Sequence, residues 1–359
     1  MEKKVVIHLD LDYFFAQVEE RKNPSIFGKP VVVCVYTNEK EQKGAVTTAN
    51  YVARKFGVHS GIPITQAKKL LNGKDAVFLP ANYELYEEIS YGIRNTLFNY
   101  SDKIEQASID EFYIEVPVKE GIHEAEKIAV MIKNEILKKF KLTCSVGIGP
   151  NKLIAKIAAG INKPDGLTLV KEEQVQDFLD PLEVDRIPGI GKKTKEYLQS
   201  KGIFTIKQLR IADFAELAEE LGKKAAGALR EAANGIDNSP VEEEKQKQIS
   251  RMVTISDGAK DALELEKTIN ELSREIAEEL NRVEFVGKVV GIQVIDKDMK
   301  LYNRSTTLQS PTKDAEIIAK TANELCKKFF LEKPIELRRI GVRVEKLETI
   351  KGQKSLANF

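Results

Sequence analysis

The sequence predicts an α+β chain of several domains, and three observations carry that prediction. The first 170 residues interleave short apolar runs with amphipathic stretches, residues 171–235 hold helical patterns almost alone, and residues 249–347 read as strand, helix, strand, strand, helix, strand. At 359 residues the chain exceeds one ordinary core, so roughly two to four domains are expected.

In order, KVVIHL (4–9) reads as a buried strand and YFFAQVEERKN as a helix with apolar residues at helical spacing. KPVVVCVY is a second strand, followed by the polar turn NEKEQKG. AVTTANYVARKFGV reads as a short strand entering a helix that ends at Gly57, and GIPITQAKKLLNG as another short helix between glycines. YELYEEISYGIRNTLFNYS is an amphipathic helix, KIEQASIDEFYIEV a strand pair or a bent strand, and residues 123–140 a further amphipathic helix. TCSVGIG is a strand and NKLIAKIAAGIN the helix after it. The stretch IDNSPVEEEKQKQ (236–248) is polar, contains proline and lacks apolar periodicity, which marks a linker. Beyond it come ISRMVTIS, an acidic helix to about Val283, the strands FVGKVVGIQVID and LYNRSTTLQS, a helix near 313–330, and the strand IELRRIGVRVEKL. The terminal TIKGQKSLANF joins no core element.

Composition narrows the function classes. Lys and Arg (56) nearly cancel Asp and Glu (55), so any polyanion site must come from segregated rather than excess charge. Cys34, Cys144 and Cys326 are isolated in apolar or helical contexts and read as small buried hydrophobes; three cysteines without a CxxC pair argue against a disulfide framework and a zinc site. The opening MEKKVVIHLDLD is too briefly apolar for a signal peptide, and no run approaches the ~20 residues of a membrane span. A cytoplasmic protein is expected, with no membrane partner.

Chemistry concentrates in acids at strand ends. Asp10 and Asp12 alternate with Leu9 and Leu11, so they share a strand face, although Asp12 also stands where a helix N-cap belongs. In SIDEFYIEV, Asp110 and Glu111 run straight into an apolar strand. Burying such acids is costly unless they pair or bind a metal. On spacing alone, a capping aspartate and salt-bridged acids account for the pattern more simply than a metal site. IPGIGKKTKEYLQSKGI sets Gly189 and Gly191 around Ile190 before a helix, with Lys192 and Lys193 behind, a suitable frame for backbone N–H groups that hold phosphate. In the C-terminal domain the first helix is acidic. The bases Lys247, Arg251, Lys288, Arg304, Arg338, Arg339 and Arg343 lie on strands, which predicts a sheet with one face under helices and one basic face open.

LDLDYFFAQVEE, TTANYVARKFGVHSGIPI, SIDEFYIEV, SVGIGPNKLIAKIAAGINKPDG and IPGIGKKTKEYLQSKGI, in this order, resemble the Y-family DNA polymerases of DinB type, in their archaeal-like form, over essentially the whole chain. The resemblance implies a right-hand polymerase: palm from 1–22 and 80–170, small fingers 23–79, helical thumb 171–235 with a helix-hairpin-helix, linker 236–248, a β-α-β-β-α-β little finger 249–347 and a tail 348–359. It implies that Asp10, Asp110 and Glu111, with the carbonyl of Leu11, hold two Mg²⁺ ions, for which Mn²⁺ substitutes. Tyr13, Tyr51, Arg54 and Lys163 would contact the dNTP, with Phe15 as steric gate against ribonucleotides. Gly189, Gly191, Lys192, Lys193, Arg251, Arg304, Arg338, Arg339 and Arg343 would hold primer-template DNA, and Gln353, Leu356 and Phe359 resemble a sliding-clamp-binding (PCNA-type) motif. The implied activity is template-directed, low-fidelity translesion synthesis by a monomer without proofreading. Two rivals remain at this point: another two-metal palm enzyme such as a nucleotide cyclase, which needs no DNA grip, and a non-catalytic DNA- and clamp-binding scaffold.

Overall fold

A computed structural model describes residues 3–38, 43–118, 121–243 and 246–349. The chain divides into two compact units, Met1–Glu243 and Glu244–Phe359.

The first unit opens with β1 (Lys3–Leu11) and α1 (Phe14–Lys22), then β2 (Val31–Asn38), β3 (Lys43–Ala49), α2 (Tyr51–Arg54), α3 (Ile64–Leu70), β4 (Val77–Pro80) and α4 (Tyr83–Leu97). It continues through β5 (Ile104–Gln106), β6 (Glu111–Val118), α5 (Ile122–Phe140), β7 (Cys144–Gly149), α6 (Lys152–Ala159) and β8 (Leu167–Leu169). The sequence pattern did not reveal β4 and β8, which are four and three residues long. Neither spans enough residues to establish a period.

Five strands form one sheet in the order β5-β6-β1-β7-β8, with β1 antiparallel to both neighbours. Alternation along β1 sends Val5, Ile7, Leu9 and Leu11 into the main core, where they meet Ile89 and Ile93 of α4 and Ile132 and Ile136 of α5. The opposite face receives α6. Two glycines of β7 allow that close approach: a Cβ on Gly147 would lie 2.0 Å from the Ala155 carbonyl oxygen, and one on Gly149 would lie 2.8 Å from Ile154. A second sheet, β3-β2-β4, pairs β2 antiparallel with β3 and parallel with β4. It has its own small core of Val32, Val46, Ala53, Ile64 and Leu71.

The remaining helices α7 (Val175–Leu179), α8 (Lys192–Ser200), α9 (Ile206–Ile211), α10 (Phe214–Leu221) and α11 (Lys223–Ala233) close around Leu179, Leu198, Leu209 and Ala226. The expected linker differs in its first half. Residues 236–243 are tied to the five-stranded sheet and α6: Asp237 accepts from the Leu153 N–H (3.0 Å), Glu105 from the Glu242 N–H (3.3 Å), and Val241 is buried with Val6, Tyr113 and Ala155. One valine in a polar run carries no periodicity, so that anchorage has no signature in the residue pattern.

The second unit follows the expected order, with β9 (Gln248–Ala259), α12 (Leu263–Arg282), β10 (Phe285–Asp296), β11 (Leu301–Thr312), α13 (Ala315–Glu332) and β12 (Leu337–Thr349). Its antiparallel sheet runs β11-β10-β12-β9, and both helices cover one face through Ile269, Ile276, Ile318 and Phe329.

Candidate active site

The alternation that buries Leu9 and Leu11 turns His8 and Asp10 to the other face of β1, with Asp12 just past the strand's end. Register places Glu111 directly opposite Asp10. The turn before β6 is closed by the Glu111 carbonyl, which accepts from the N–H groups of Ala107 (3.0 Å) and Ser108 (3.3 Å). The Asp110 carbonyl accepts from the Leu11 N–H at 2.9 Å, and the Ser108 hydroxyl donates to the Asp110 carboxylate at 2.7 Å. Asp10, Asp110, Glu111 and the last residue of β1 therefore meet at one sheet end.

Two lysines counter these acids. Lys163 pairs with Asp10, and Lys156 of α6 with Glu111 at 2.5 Å. Burial nevertheless pushes the Asp10 carboxyl up to about 6; Lys163 opposes that rise, and the charges of Glu111 and Asp110 add to it. His8 sits beneath Glu111 with its ring 4.6 Å from that of Tyr113, and burial holds its pKa well below the usual value.

Asp12 is not the helix cap that its position suggested. Tyr13 occupies the N-cap of α1 in a left-handed conformation (φ 37°), an uncommon geometry for a residue with a bulky side chain. Asp12 is fully buried instead and accepts from the hydroxyls of Ser145 (2.7 Å) and Thr143 (2.9 Å) and the N–H of Asp165 (2.8 Å). The strand continues through Leu11, so Asp12 points into the sheet rather than along the helix axis.

A cleft of about 190 Å³ opens beside the acids, with Asp10, Leu11 and Asp110 forming one wall. Phe15 lines it, stacked on Tyr86 (4.4 Å between centroids, 13° between planes) and edge-on to Tyr83. Tyr51 and Arg54 line the far side; the guanidinium lies 4.9 Å over the Tyr51 ring, and Tyr13 meets Tyr51 edge-on. Lys163 completes the lining. All the proposed nucleotide residues thus face one cavity. Thr47, Thr48 and Ser60 face it too and were not singled out from sequence. Neither was Asn50, which caps α2 through the Ala53 N–H (2.9 Å), accepts from the Val31 N–H and donates to Glu20 at 2.6 Å. Asparagine immediately before a helical run was the available signal.

The site's donors are carboxylate and carbonyl oxygens, which suit a hard cation such as Mg²⁺ or Mn²⁺ better than zinc. Among the described residues no three His, Cys, Asp or Glu side chains stand close enough to cage an ion by themselves. A hard cation of that kind commonly uses one or two carboxylates and completes its shell with phosphate oxygens.

In the helical module Gly189 has φ 93° and Gly191 caps α8, with Ile190 buried between them. Nothing lies within 4 Å of a Cβ at either glycine, and Lys192 and Lys193 are exposed, so the turn is open to an approaching backbone. Only Gly189 needs glycine's positive φ; Gly191 is extended.

In the second unit the expected basic face needs correction. Register pairs Arg251 with Val342 and Arg304 with Ile292, both of them core positions, so both arginines point to the helix-covered side. Arg251 approaches Glu275 and Glu279 of α12; Arg304 pairs with Glu332 of α13 at 2.6 Å. Arg339 and Arg343 alternate with Ile340, Val342 and Val344 and lie on the open face, where Arg343 donates to Asn303 at 2.9 Å and pairs with Glu345 at 2.8 Å. Arg338 is exposed at an irregularity between them and Leu337. Gln353, Leu356 and Phe359 lie outside the described residues.

Comparison with known proteins supplies the frame for this geometry. Residues 9–160 match the impB/mucB/samB family, 246–357 its C-terminal domain, and 185–237 the DNA polymerase-iota thumb domain. The chain is 40% identical to "DNA polymerase IV 1" of Methanosarcina mazei, over all of both chains. It is 39% identical to "DNA polymerase IV" of Saccharolobus solfataricus over 95% of this chain and 96% of that one. Among solved structures, a Y-family DNA polymerase chimera of Dbh and Dpo4 matches with a TM-score of 0.88 at 35% identity, covering 96% of this chain and all of that one. The insertion ternary complex of Dbh DNA polymerase matches with a TM-score of 0.72 at the same identity and coverage. The chain belongs to the Y-family of DNA polymerases, in the DinB or DNA polymerase IV group, and is a DNA-directed DNA polymerase.

Proposed function

We propose that this polymerase is a translesion enzyme that extends a primer by metal-assisted phosphoryl transfer, with its active centre at the end of β1. The observation that carries the reading is that Asp10 and Asp110, with Glu111 opposite Asp10 in the sheet, stand at a cleft whose other walls are Phe15, Tyr51, Arg54 and Lys163. In this reading the five-stranded sheet with its helices is the palm, β2–β4 with α2 and α3 the fingers, α7–α11 the thumb, and the second unit the little finger. The primer 3′-hydroxyl displaces pyrophosphate from the α-phosphorus of a dNTP. Two Mg²⁺ ions held by Asp10, Asp110, Glu111 and the Leu11 carbonyl would supply charge neutralisation and a lowered hydroxyl pKa.

The chain's own residues do the positioning. Arg54 and Lys163 provide fixed positive charge for the triphosphate; Arg54 is held over the Tyr51 ring, which Tyr13 packs edge-on, and donates to the Ala49 carbonyl at 2.8 Å. Phe15 is backed by Tyr86 and Tyr83, so it cannot yield easily to a 2′-hydroxyl placed against it. The fingers consist of three strands and two short helices, a small roof that leaves the nascent base pair loosely enclosed and tolerates damaged templates. The glycine turn before α8, the exposed Arg338 and the open-face arginines Arg339 and Arg343 would grip the phosphate backbone without reading sequence. The C-terminal Gln353, Leu356 and Phe359 would dock on a sliding clamp. No proofreading is assigned.

The test is extension of a labelled primer on an undamaged and an abasic template with Mg²⁺ and four dNTPs, beside Asp110→Ala. Extension on both templates, lost in the variant, is expected. DNA binding without any extension by the parent chain would overturn the catalytic assignment.

A further inference from the structure

The buried carboxylate of Asp12 has no part in the site described above, yet it is fully satisfied. Its three donors come from two separate segments: the hydroxyls of Thr143 and Ser145 at the start of β7, and the backbone N–H of Asp165. A carboxyl group offers enough acceptor sites on its two oxygens to take all three contacts at once. The Asp165 bond matters because of its location. The turn 162–166, between α6 and β8, carries Lys163, whose ammonium reaches Asp10 across the cleft wall.

The rest of the turn is held just as firmly. The Ser145 hydroxyl that donates to Asp12 also accepts from the Gly166 N–H at 3.3 Å. Lys133 donates to the Asp165 carbonyl (3.0 Å), the Asp165 carboxylate (2.7 Å) and the Gly166 carbonyl (3.2 Å). A Cβ on Gly166 would lie 2.2 Å from the Asn162 carbonyl oxygen, so the two ends of the turn press together and leave the segment bearing Lys163 little freedom. Asp165 itself holds φ 54°, a left-handed geometry sustained by these ties.

We infer that Asp12 is a positioning residue for nucleotide binding: its carboxylate clamps the 162–166 turn to β7 and so fixes the point from which Lys163 delivers its charge. This rests on the assignment of Lys163 to the triphosphate, and the experiment separates the two. Nucleotide affinity is measured by single-turnover extension against dNTP concentration for Asp12→Ala, Lys163→Ala and the double variant, with primer-template affinity measured alongside. Asp12→Ala is expected to weaken dNTP binding about 10- to 100-fold, the scale for a misplaced contact group, with DNA affinity unchanged. In the Lys163→Ala background the same substitution should change dNTP affinity less than about twofold, because the group it positions is gone. Multiplicative effects in the double variant, or an equal loss of DNA affinity, would overturn the inference and leave Lys163 in place. An unchanged dNTP affinity in Lys163→Ala alone would overturn the underlying assignment and this inference with it. Where Asp12→Ala fails to fold, Ser145→Ala takes its place in the cycle, since it removes one donor to Asp12 and the acceptor for Gly166 together.

Discussion

Replacing Asp10 with asparagine should stabilise the metal-free chain while abolishing synthesis. Asp10 is 15% exposed, and its carboxyl is raised from 3.8 to about 6, chiefly by burial. A raised acid pKa means the folded state prefers the protonated form. The carboxyl therefore costs nothing below the unfolded pKa near 4, and its penalty grows from there to about pH 6, above which it is complete. At pH 7.5 the full rise from 3.8 to about 6 applies, at most about 3 kcal/mol, with the opposing attraction of Lys163 already included. Asparagine has the shape of the protonated acid and no charge, so it removes that penalty. For a unit of this size about 2–4 °C accompanies each kcal/mol, so a rise of several degrees in Tm is expected in EDTA at pH 7.5. The gain should fall to roughly a third at pH 4.5, where the folded carboxyl is protonated anyway. Thermal unfolding of parent and Asp10→Asn at the two pH values, with primer extension in Mg²⁺ alongside, makes the comparison. An unchanged or lower Tm at pH 7.5, or a gain independent of pH, would refute the claim that Asp10 is held against its own electrostatics for function.

Phe15→Ala should relax sugar discrimination by roughly 10- to 100-fold, the equivalent of removing ~1–3 kcal/mol of steric overlap, measured as the ratio of single-ribonucleotide to deoxynucleotide insertion. Arg343→Ala and Arg339→Ala should each flatten the salt dependence of primer-template binding by about 0.9 in the log–log slope. Arg251→Ala and Arg304→Ala should leave that slope alone, since both arginines face acids of the covering helices; equal slopes for all four variants would remove the face assignment. Deleting residues 353–359 should abolish stimulation by a sliding clamp and leave unstimulated extension intact, a contrast read directly from product length with and without clamp.

What the sequence made legible depended on whether the information was local. Strand and helix runs with several turns of period, such as those of α4, α5 and α12, announced themselves, and so did the order of the acid-bearing motifs. Asp10 opposite Glu111 follows once β1 and β6 are neighbours, but nothing in either segment dictates that neighbour. Asp12 shows the limit more sharply. The same residue before the same helix reads as a cap, and only the arrival of Thr143, Ser145 and Asp165 from elsewhere in the chain makes it a buried acceptor. The strand arginines fail for a related reason. Arg251 and Arg343 belong to neighbouring strands of the same unit, yet a one-residue difference in register decides that one meets the acids of α12 while the other lies on the open face. Charge on a strand is therefore visible in sequence, while its side of the sheet is a property of pairing. The pairing here separates the arginines by face: Arg251 and Arg304 meet glutamates of the covering helices, while Arg339 and Arg343 lie on the open face, where Arg343 pairs with Glu345. The division by face is therefore partial: two arginines are taken up by the acids of the covering helices, and on the open face Glu345 offsets Arg343, so the basic character of that face rests chiefly on Arg339.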